Sequence, residues 1–311
     1  MFKKKYVTLN KDWKYLQLNK FFFISSLISL IQKIIEKVFS VKIIKKKNYN
    51  PISLNDRTSF SQNKILIIKR NKRLLPIMVK FLNDLNIHCS SNKIIKIINE
   101  HDIIFYRKNP IHYNNGGNGY NNSLFFYTFL KTLKKCKLVI ESGVWKGYMS
   151  YVIDQIFNNS SKLKFDISFN KLIYKSPKSI YIENNINKFN FEKFKNSLPN
   201  SIAFFDDHCS QLDRFLKCHN LKIPNMVFDD DVNFETIHSD GWPSFPTISM
   251  LRDNLLIKKF NWVHAGRAAK GNYKNKFNKK LLNNYYFSTA PNISRITGYY
   301  VQSPMTFIVK K

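Results

Sequence analysis

Residues 138–147 read LVIESGVWKG, an apolar run that ends at Glu141 and then turns through Gly143 and Gly147. Glycine adopts backbone angles that other residues avoid, and it lets a ligand approach the main chain. The segment 148–157 is predicted to be a helix, whose N-terminus would favour an anionic group. The stretch therefore predicts a strand, a glycine turn and a helix, which is the arrangement of a nucleotide-type cofactor site. Because the third glycine of the dinucleotide-binding motif is missing, an ordinary strand-to-helix turn is the alternative.

Short apolar runs alternate with longer segments from residue 137 onward, as in a parallel sheet with crossover helices. Five runs are predicted as parallel strands, and two more near the C-terminus are predicted as an antiparallel hairpin, because the stretch between them is too short for a helical crossover. The predicted strands are 138–140, 163–167, 180–182, 202–205 and 226–228, followed by the hairpin strands 285–288 and 306–309. The predicted fold class is α/β, a Rossmann-like doubly wound sheet with a C-terminal antiparallel hairpin.

A small α/β or helical region is predicted to precede this sheet. Residues 1–48 are predicted as a basic helical leader and residues 49–108 as a small α/β accessory unit, leaving 109–311 for the sheet domain. Within the leader, 21–39 are predicted as an amphipathic helix, which could pack on a core or contact a membrane surface peripherally. The elements predicted for the accessory unit are strands at 64–68 and 103–106 and helices at 74–85 and 94–98.

The chain is strongly basic, with 51 Lys and Arg residues against 20 Asp and Glu and a formal net charge of +31. Such a charge is typical of proteins that bind nucleic acid or an anionic membrane. Lys, Asn, Ile and Phe are all abundant and Gly is scarce, as expected of a coding sequence that has drifted towards A and T. The alternative is therefore that much of the positive charge comes from solvated surface lysines without a binding role. No RNA-binding aromatic motif, zinc finger or arginine-rich segment occurs, and a nucleic-acid partner is therefore not favoured.

The four cysteines lack any paired spacing, which favours a reducing, cytoplasmic compartment. The segment 21–39 makes the inner membrane surface the alternative location. A glycine and asparagine loop, NNGGNGYNN, occupies 114–122, and Ser123 is predicted to begin a helix that runs to about residue 133. This loop could be an ordinary connection or a flap over a ligand.

Acidic side chains follow four of the predicted parallel strands. In an open parallel sheet, ligands bind at the carboxyl ends of the strands. Glu141 ends the first strand and Asp166 the second, where a carboxylate could accept hydrogen bonds from a ribose diol. A solvated loop aspartate is the alternative for Asp166. The fourth strand ends in Asp-Asp-His at 206–208, and the fifth ends in three aspartates at 229–231.

These two acidic clusters would repel each other unless a cation lay between them. A divalent cation such as magnesium would supply that charge, and Asp207, Asp230 and Asp231 could provide its carboxylate ligands. The alternative is that Asp206 or Asp229 caps the following helix while the other acids face solvent.

Residues 100–311 carry these motifs in a specific order. The order is ESGVWKG at 141–147, FDIS at 165–168, AFFDDH at 203–208, VFDDDV at 227–232 and then the terminal hairpin. It resembles that of the class I S-adenosylmethionine-dependent methyltransferases. Within that class it is similar to the metal-assisted O-methyltransferases, including catechol O-methyltransferase and the cephalosporin hydroxylase and macrocin O-methyltransferase groups.

The resemblance implies a cofactor site for S-adenosylmethionine. Glu141, Gly143 and Gly147 would border its methionine part, and Asp166 would hold its ribose. The implied reaction is methyl transfer to a hydroxyl of a sugar or another small metabolite, as in glycan biosynthesis. The alternatives are an RNA methyltransferase, supported by the basic charge, and a non-catalytic protein that keeps the fold as a scaffold in surface-glycan assembly.

The resemblance also implies a magnesium site, in which the metal lowers the pKa of a substrate hydroxyl so that its oxygen can attack the methyl group. The implied metal ligands are Asp207, Asp230 and Asp231. Catechol-type enzymes have a lysine base three residues after the first metal-binding acid, and this chain has Ser210 there. His208, which could also be a metal ligand or a structural residue, and His238 are therefore the candidates for the base, so that Asp207 and His208 are the predicted catalytic residues.

Overall fold

The computed structural model of the chain describes residues 7–9, 64–111, 117–232, 245–252, 259–264, 269–274, 278–299 and 303–311. The segment 21–39, most of the leader and His238 lie outside these ranges. None of the described helices is both long enough and apolar enough to cross a membrane. Peripheral membrane contact, a cytoplasmic location and the unit boundaries at residues 48 and 108 therefore stay predictions.

A seven-stranded mixed sheet forms the centre of the fold. Its strands are β1 Leu138–Ser142, β2 Ser161–Asp166, β3 Ser179–Glu183, β4 Ser201–Phe205, β5 Asn225–Phe228, β6 Tyr285–Thr289 and β7 Thr306–Lys310. The order across the sheet is β3-β2-β1-β4-β5-β7-β6. Strands β1 to β5 are parallel, and β7 runs antiparallel to both β5 and β6. The seven predicted strands and the predicted fold class are confirmed.

Successive side chains of a strand point to opposite faces, and in the central strands β1, β4 and β5 almost all of them are buried. The edge strand β3 is only partly covered. In β4, Ile202 and Phe204 join the apolar cluster on one face, whereas Ala203 and Phe205 join the cluster on the other. The helices that surround the sheet are α1 Lys64–Asp84, α2 Ser91–Ile103, α3 Tyr120–Thr132, α4 Tyr148–Asp154, α5 Gln211–Asn220, α6 Ile248–Arg252 and α7 Ser294–Thr297. Because helices cover both faces of the sheet, the loops that follow the parallel strands meet at the carboxyl ends of those strands.

The described residues 64–111, which precede the sheet, are mainly helical, so both strands predicted within them are wrong. Residues 64–68 belong to α1, and a π-helical turn, Ile104–Lys108, continues α2 through the second predicted strand. The isoleucine-rich run at 64–68 favours a strand by local propensity, but the helical periodicity of the apolar residues that follow extends back through it. At the second position Ile104, Phe105 and Tyr106 are all buried, and a short continuous apolar run fits a buried helix as well as a strand.

The helical region packs against the sheet through aromatic side chains. The ring of Phe81 in α1 lies 4.9 Å from that of Phe125 in α3 and 4.8 Å from that of Phe307 in β7, measured between ring centroids. Both pairs are edge-to-face, the arrangement that aromatic quadrupoles favour. Helix α1 is therefore part of the same apolar cluster as one face of the sheet.

A second, three-stranded sheet was not predicted from the sequence. The strand Val7–Leu9 pairs in parallel with Lys259–His264, which pairs in antiparallel with Ala269–Lys274. Residues 7–9 are therefore extended where a helical leader was predicted. A local sequence pattern cannot indicate pairing between segments that lie so far apart in the chain.

His101 is completely buried between α2 and α3, where its Nε2 lies 2.9 Å from Oγ of Ser123. Burial, together with the positive charge of Arg70, lowers the pKa of His101 to about 3. The imidazole is therefore neutral in the folded protein at physiological pH.

We expect His101 to make the fold sensitive to acid. Between pH 6.5 and 3 the unfolded chain binds a proton at His101 that the folded chain does not bind. The free energy of unfolding should therefore fall as the pH drops below 6.5, by up to about 1.4 kcal/mol per pH unit from this group. Urea unfolding at a series of pH values between 7 and 5 gives the free energy of unfolding at each pH. This free energy should fall less steeply with decreasing pH for His101→Gln than for the wild type. His88→Gln, at an exposed histidine, is the control, and parallel slopes for wild type and His101→Gln would contradict the expectation.

Candidate active site

The glycine turn after β1 is built on close contacts between main chains. Gly143 and Gly147 both have a φ of +88°, in the left-handed region that favours glycine. A Cβ atom on Gly143 would lie 2.1 Å from the carbonyl oxygen of Asp206, and one on Gly147 would lie 2.3 Å from that of Tyr174. The space beside each glycine is therefore filled by protein backbone, and both glycines have a structural requirement that is independent of any ligand.

Asp166 holds this turn in place from the end of β2. Its Oδ2 accepts hydrogen bonds from the main-chain N–H groups of Val144 (2.8 Å) and Trp145 (3.1 Å), and its Oδ1 accepts one from Ile167 (2.7 Å). Asp166 therefore occupies the strand end that was predicted for it, but as an organiser of the turn. Oδ1 also lies 3.5 Å from the main-chain N–H of Ser168, so each of the roughly four acceptor positions of the carboxylate has a main-chain donor, the last of them at the limit of a hydrogen bond.

Glu141 lies inside β1 rather than at its end, and it is completely buried. Its Oε2 forms an ion pair with Lys164 of β2 and accepts a hydrogen bond of 2.6 Å from Oγ of Ser150 in α4. The other oxygen, Oε1, is buried and has no hydrogen bond to a described residue. A buried acceptor without a donor is unfavourable, and a ligand N–H group could satisfy it.

Asp207 is held by a buried arginine. Its Oδ2 accepts hydrogen bonds from Oγ of Ser142 (2.6 Å) and from Nε of Arg214 (2.9 Å), and Nη2 of Arg214 lies 2.8 Å away. The main-chain N–H of Cys209 donates to its Oδ1 at 3.2 Å. The positive charge of Arg214 thus balances the negative charge of the Asp207 carboxylate, and this ion pair links the loop after β4 to α5.

Asp231 lies in the loop after β5 and is buried against the start of α6. Its Oδ1 accepts a hydrogen bond of 2.7 Å from the main-chain N–H of Ser249, and its Oδ2 accepts one of 2.8 Å from the Ser249 hydroxyl. Burial raises the pKa of Asp231, although these hydrogen bonds oppose the shift. The carboxylate therefore serves as a helix cap.

Three other side chains converge between the loops after β4 and β5. Asp206, His208 and Asp230 each place one potential metal-binding atom within 4.8 Å of the other two. Nδ1 of His208 lies 3.0 Å from Oδ2 of Asp230, and the His208 side chain is 37% exposed. Of the three predicted metal ligands, the structure brings only Asp230 into this cluster, while Asp207 and Asp231 have the protein partners described above.

The electrostatics of the cluster favour a bound cation. Burial and the carboxylates of Asp229 and Asp230 raise the pKa of Asp206 well above its usual range. Burial opposes the charged form of His208, but the hydrogen bond from it to Asp230 and the surrounding acids outweigh this effect and raise its pKa. Carboxylate oxygens with one imidazole nitrogen are a donor set that divalent cations such as magnesium or manganese can accept.

Asparagine side chains complete the site, and sequence reasoning missed them. Nδ2 of Asn118 donates to Oδ2 of Asp206 (3.1 Å) and to Oδ2 of Asp229 (2.9 Å). Nδ2 of Asn122 donates to Oδ1 of Asp229 at 3.2 Å. Burial, together with the charge of Asp230, raises the pKa of Asp229 to about 8. Both asparagines fall in the segment predicted as a glycine and asparagine loop, but α3 begins at Tyr120 rather than at Ser123, so Asn118 precedes the helix and Asn122 lies in its first turn.

Solved structures similar to this one are S-adenosylmethionine-dependent methyltransferases. MycE methyltransferase from the mycinamycin biosynthetic pathway, in complex with Mg, SAH and mycinamycin VI, is 16% identical, and the match covers 63% of this chain and 50% of that chain at a TM-score of 0.36. An O-methyltransferase from Thermotoga maritima is 12% identical, with 68% and 70% covered and a TM-score of 0.37. An O-methyltransferase from Bacillus cereus in complex with SAH is 8% identical, with 78% and 100% covered and a TM-score of 0.41.

This chain spans about half the length of the MycE chain that it matches. No protein-family model matches the sequence. A search of curated proteins finds no significant match. We therefore base the proposed function on the chain's own residues.

We expect the glycines of the turn to be essential for folding. Gly143→Ala and Gly147→Ala should each lower the free energy of unfolding by more than about 2 kcal/mol, because the added Cβ overlaps main-chain atoms that cannot move cheaply. Gly298→Ala is the matched control: its φ is +78°, but apart from its chain neighbours no described residue has an atom within 4 Å of the added Cβ. It should cost about 1 kcal/mol from backbone strain alone. Chemical denaturation measures the free energy of unfolding of the three variants. Equal losses of stability in all three would show that the overlap with the main chain is not the cause.

Proposed function

We propose that the chain is an S-adenosylmethionine-dependent methyltransferase that methylates a hydroxyl of a sugar or another small metabolite, assisted by a divalent cation such as magnesium. The observation that carries the proposal is the convergence of three features at the carboxyl ends of the parallel strands. These are the glycine turn after β1, Asp166 after β2, and the cluster of Asp206, His208 and Asp230 after β4 and β5. Ligands of doubly wound sheets bind at this edge, where the strand order reverses.

The strand order reverses between β1 and β4, and the proposed cofactor residues lie beside that point. A ribose hydroxyl would replace the long contact of 3.5 Å from Ser168 to Asp166, while the carboxylate keeps the shorter hydrogen bonds that hold the turn. Oε1 of Glu141 would accept a hydrogen bond from the amino group of the methionine part, which would satisfy a buried oxygen. Gly143 and Gly147 would contribute through the shape of the turn. S-adenosylmethionine bound there would supply the methyl group.

Asp206, His208 and Asp230 would hold the cation, so the proposed ligand set differs from the one predicted from the sequence. When bound, a divalent cation supplies Lewis acidity, which lowers the pKa of a coordinated hydroxyl group. In this arrangement His208 enters as a ligand steadied by Asp230. Asp207, paired with Arg214, fixes the loop that carries Asp206.

Cofactor binding tests the methyl-transfer proposal. Isothermal titration of the wild type with S-adenosylmethionine should give a Kd in the micromolar range, and titration with ATP should give no binding. Asp166→Ala should weaken binding at least about tenfold, because a hydrogen bond to a charged group contributes roughly 1.5–3 kcal/mol. Glu183→Ala, at an exposed acid that pairs with Asp166 across β2 and β3, is the matched control and should bind normally. A folded wild type that binds no S-adenosylmethionine would contradict the proposal.

Metal binding distinguishes the two ligand sets. Titration of the metal-free protein with Mn²⁺ should show a Kd at least about tenfold higher for Asp206→Asn, because a charged ligand is lost. Asp207→Asn should bind Mn²⁺ within about threefold of the wild type but should unfold at lower temperature, because buried Arg214 would lose the negative charge that balances its own. The rate at which each variant methylates a panel of sugars and small hydroxylated compounds should fall in the same order as its affinity for Mn²⁺. If instead Asp207→Asn lost the metal and Asp206→Asn kept it, the set predicted from the sequence would be restored.

A further inference from the structure

The side chain of Asn118 joins the carboxylates that follow two neighbouring strands. Its Nδ2 lies 3.1 Å from Oδ2 of Asp206, which follows β4, and 2.9 Å from Oδ2 of Asp229, which follows β5. The residue is 5% exposed. Because an amide nitrogen carries two hydrogens, it can donate one to each acid. One buried amide thus sets the spacing between two carboxylates that repel each other.

Asp229 is the fixed end of this bridge. Its other oxygen, Oδ1, accepts hydrogen bonds from Nδ2 of Asn122 and from Oγ of Ser303, each at 3.2 Å. Asp229 is therefore held from α3 and from the segment before β7 at once. Because Asn118 donates to both acids, a fixed Asp229 also fixes the position of Asp206.

Asp206 depends on that single contact. Within the described part of the chain, its carboxylate makes no side-chain hydrogen bond except the one from Asn118. The carboxylates of Asp229, Asp230 and Asp207 act on it unfavourably. Without the amide donor, repulsion would turn the Asp206 side chain away from them.

The chemistry of the donor matters as much as its position. Asp207 is bound by the guanidinium of Arg214, whose positive charge neutralises it. Asn118 orients Asp206 with a neutral amide, which brings no positive charge of its own to compete with a cation for that carboxylate. Two adjacent acids on one loop are thereby assigned different roles by the charge of their partners.

We propose that Asn118 is a positioning residue that holds Asp206 in the orientation required to bind a divalent cation together with His208 and Asp230. The role rests on the metal site of the proposed function and is independent of methyl transfer. Hydrogen-bond partners of metal ligands orient the ligand and so contribute to metal affinity.

Titration of metal-free protein with Mn²⁺, followed by the electron paramagnetic resonance signal of the free ion, tests this role without any activity assay. Asn118→Ala removes both donors and should raise the Kd for Mn²⁺ by roughly 10- to 100-fold, the usual effect of removing such a partner. Asn118→Ser retains one hydroxyl donor and should give a smaller increase. Affinity for S-adenosylmethionine should stay within about twofold of the wild type in both variants.

Asn121→Ala is the matched control. Asn121 is 6% exposed, and its hydrogen bonds to described residues go to Ser294, Thr297 and Tyr299, away from the acids. Its Kd for Mn²⁺ should stay within about threefold of the wild type. Thermal unfolding of each metal-free variant checks that the fold is retained. If Asn118→Ala does not fold, Asn118→Ser carries the comparison.

Equal Mn²⁺ affinity in folded wild type and folded Asn118→Ala would overturn the proposal and leave the metal site standing. An equal loss in Asn121→Ala would also overturn it, because the effect would then come from a loosened α3. A folded wild type that binds no Mn²⁺ would overturn both this role and the metal site. S-adenosylmethionine binding by the same samples would then show whether the cofactor part of the proposed function survives.

Discussion

The contact between the ends of β1 and β4 is the constraint on which the rest of the site depends. Gly143 lies so close to the main chain of Asp206 that no side chain fits between them, and the Asp206 N–H donates to the Ser142 carbonyl at 2.8 Å. These two strands flank the point where the strand order reverses, so their crossovers leave in opposite directions and open a crevice. The glycine turn and the acidic loop after β4 are therefore locked together at the edge of that crevice.

The partners of the acids, rather than their number, determine what each acid can do. Asp207 is matched by a buried guanidinium, and Asp231 is used to cap α6. Asp206 is instead bound by the neutral amide of Asn118, and Asp230 is bound by one imidazole, that of His208. Among the described residues, the carboxylates between the two loops therefore face at most one positive charge. Like charges held together in this way are unfavourable until a cation arrives, which is why we locate the metal site there.

The sequence predicted the fold well, because strands buried on both faces appear as short apolar runs and the hairpin is set apart by a short connection. The run at 64–68 misled the prediction, since isoleucine favours strands locally while the packing of α1 on Phe307 favours a helix. The sequence also located the acidic clusters at the correct edge. It could not show which acids face the crevice, because that depends on partners such as Arg214 and Asn118 that come from other elements.

Backbone strain supports a functional role for the cluster. His208 and Asp230 have φ values of +54° and +53°, and non-glycine residues in this region cost on the order of 1 kcal/mol each. Glycine at either position would relieve the strain, and glycine in place of Asp230 would also remove one of the carboxylates that act unfavourably on Asp206. Both features lower the stability of the folded chain. Strained residues that carry metal-binding side chains are expected where a site must be ready before its ligand binds. Lys178 and Lys222 have similar positive φ values outside the cluster, so the indication of function is the combination of strain with metal-binding side chains, and not strain alone.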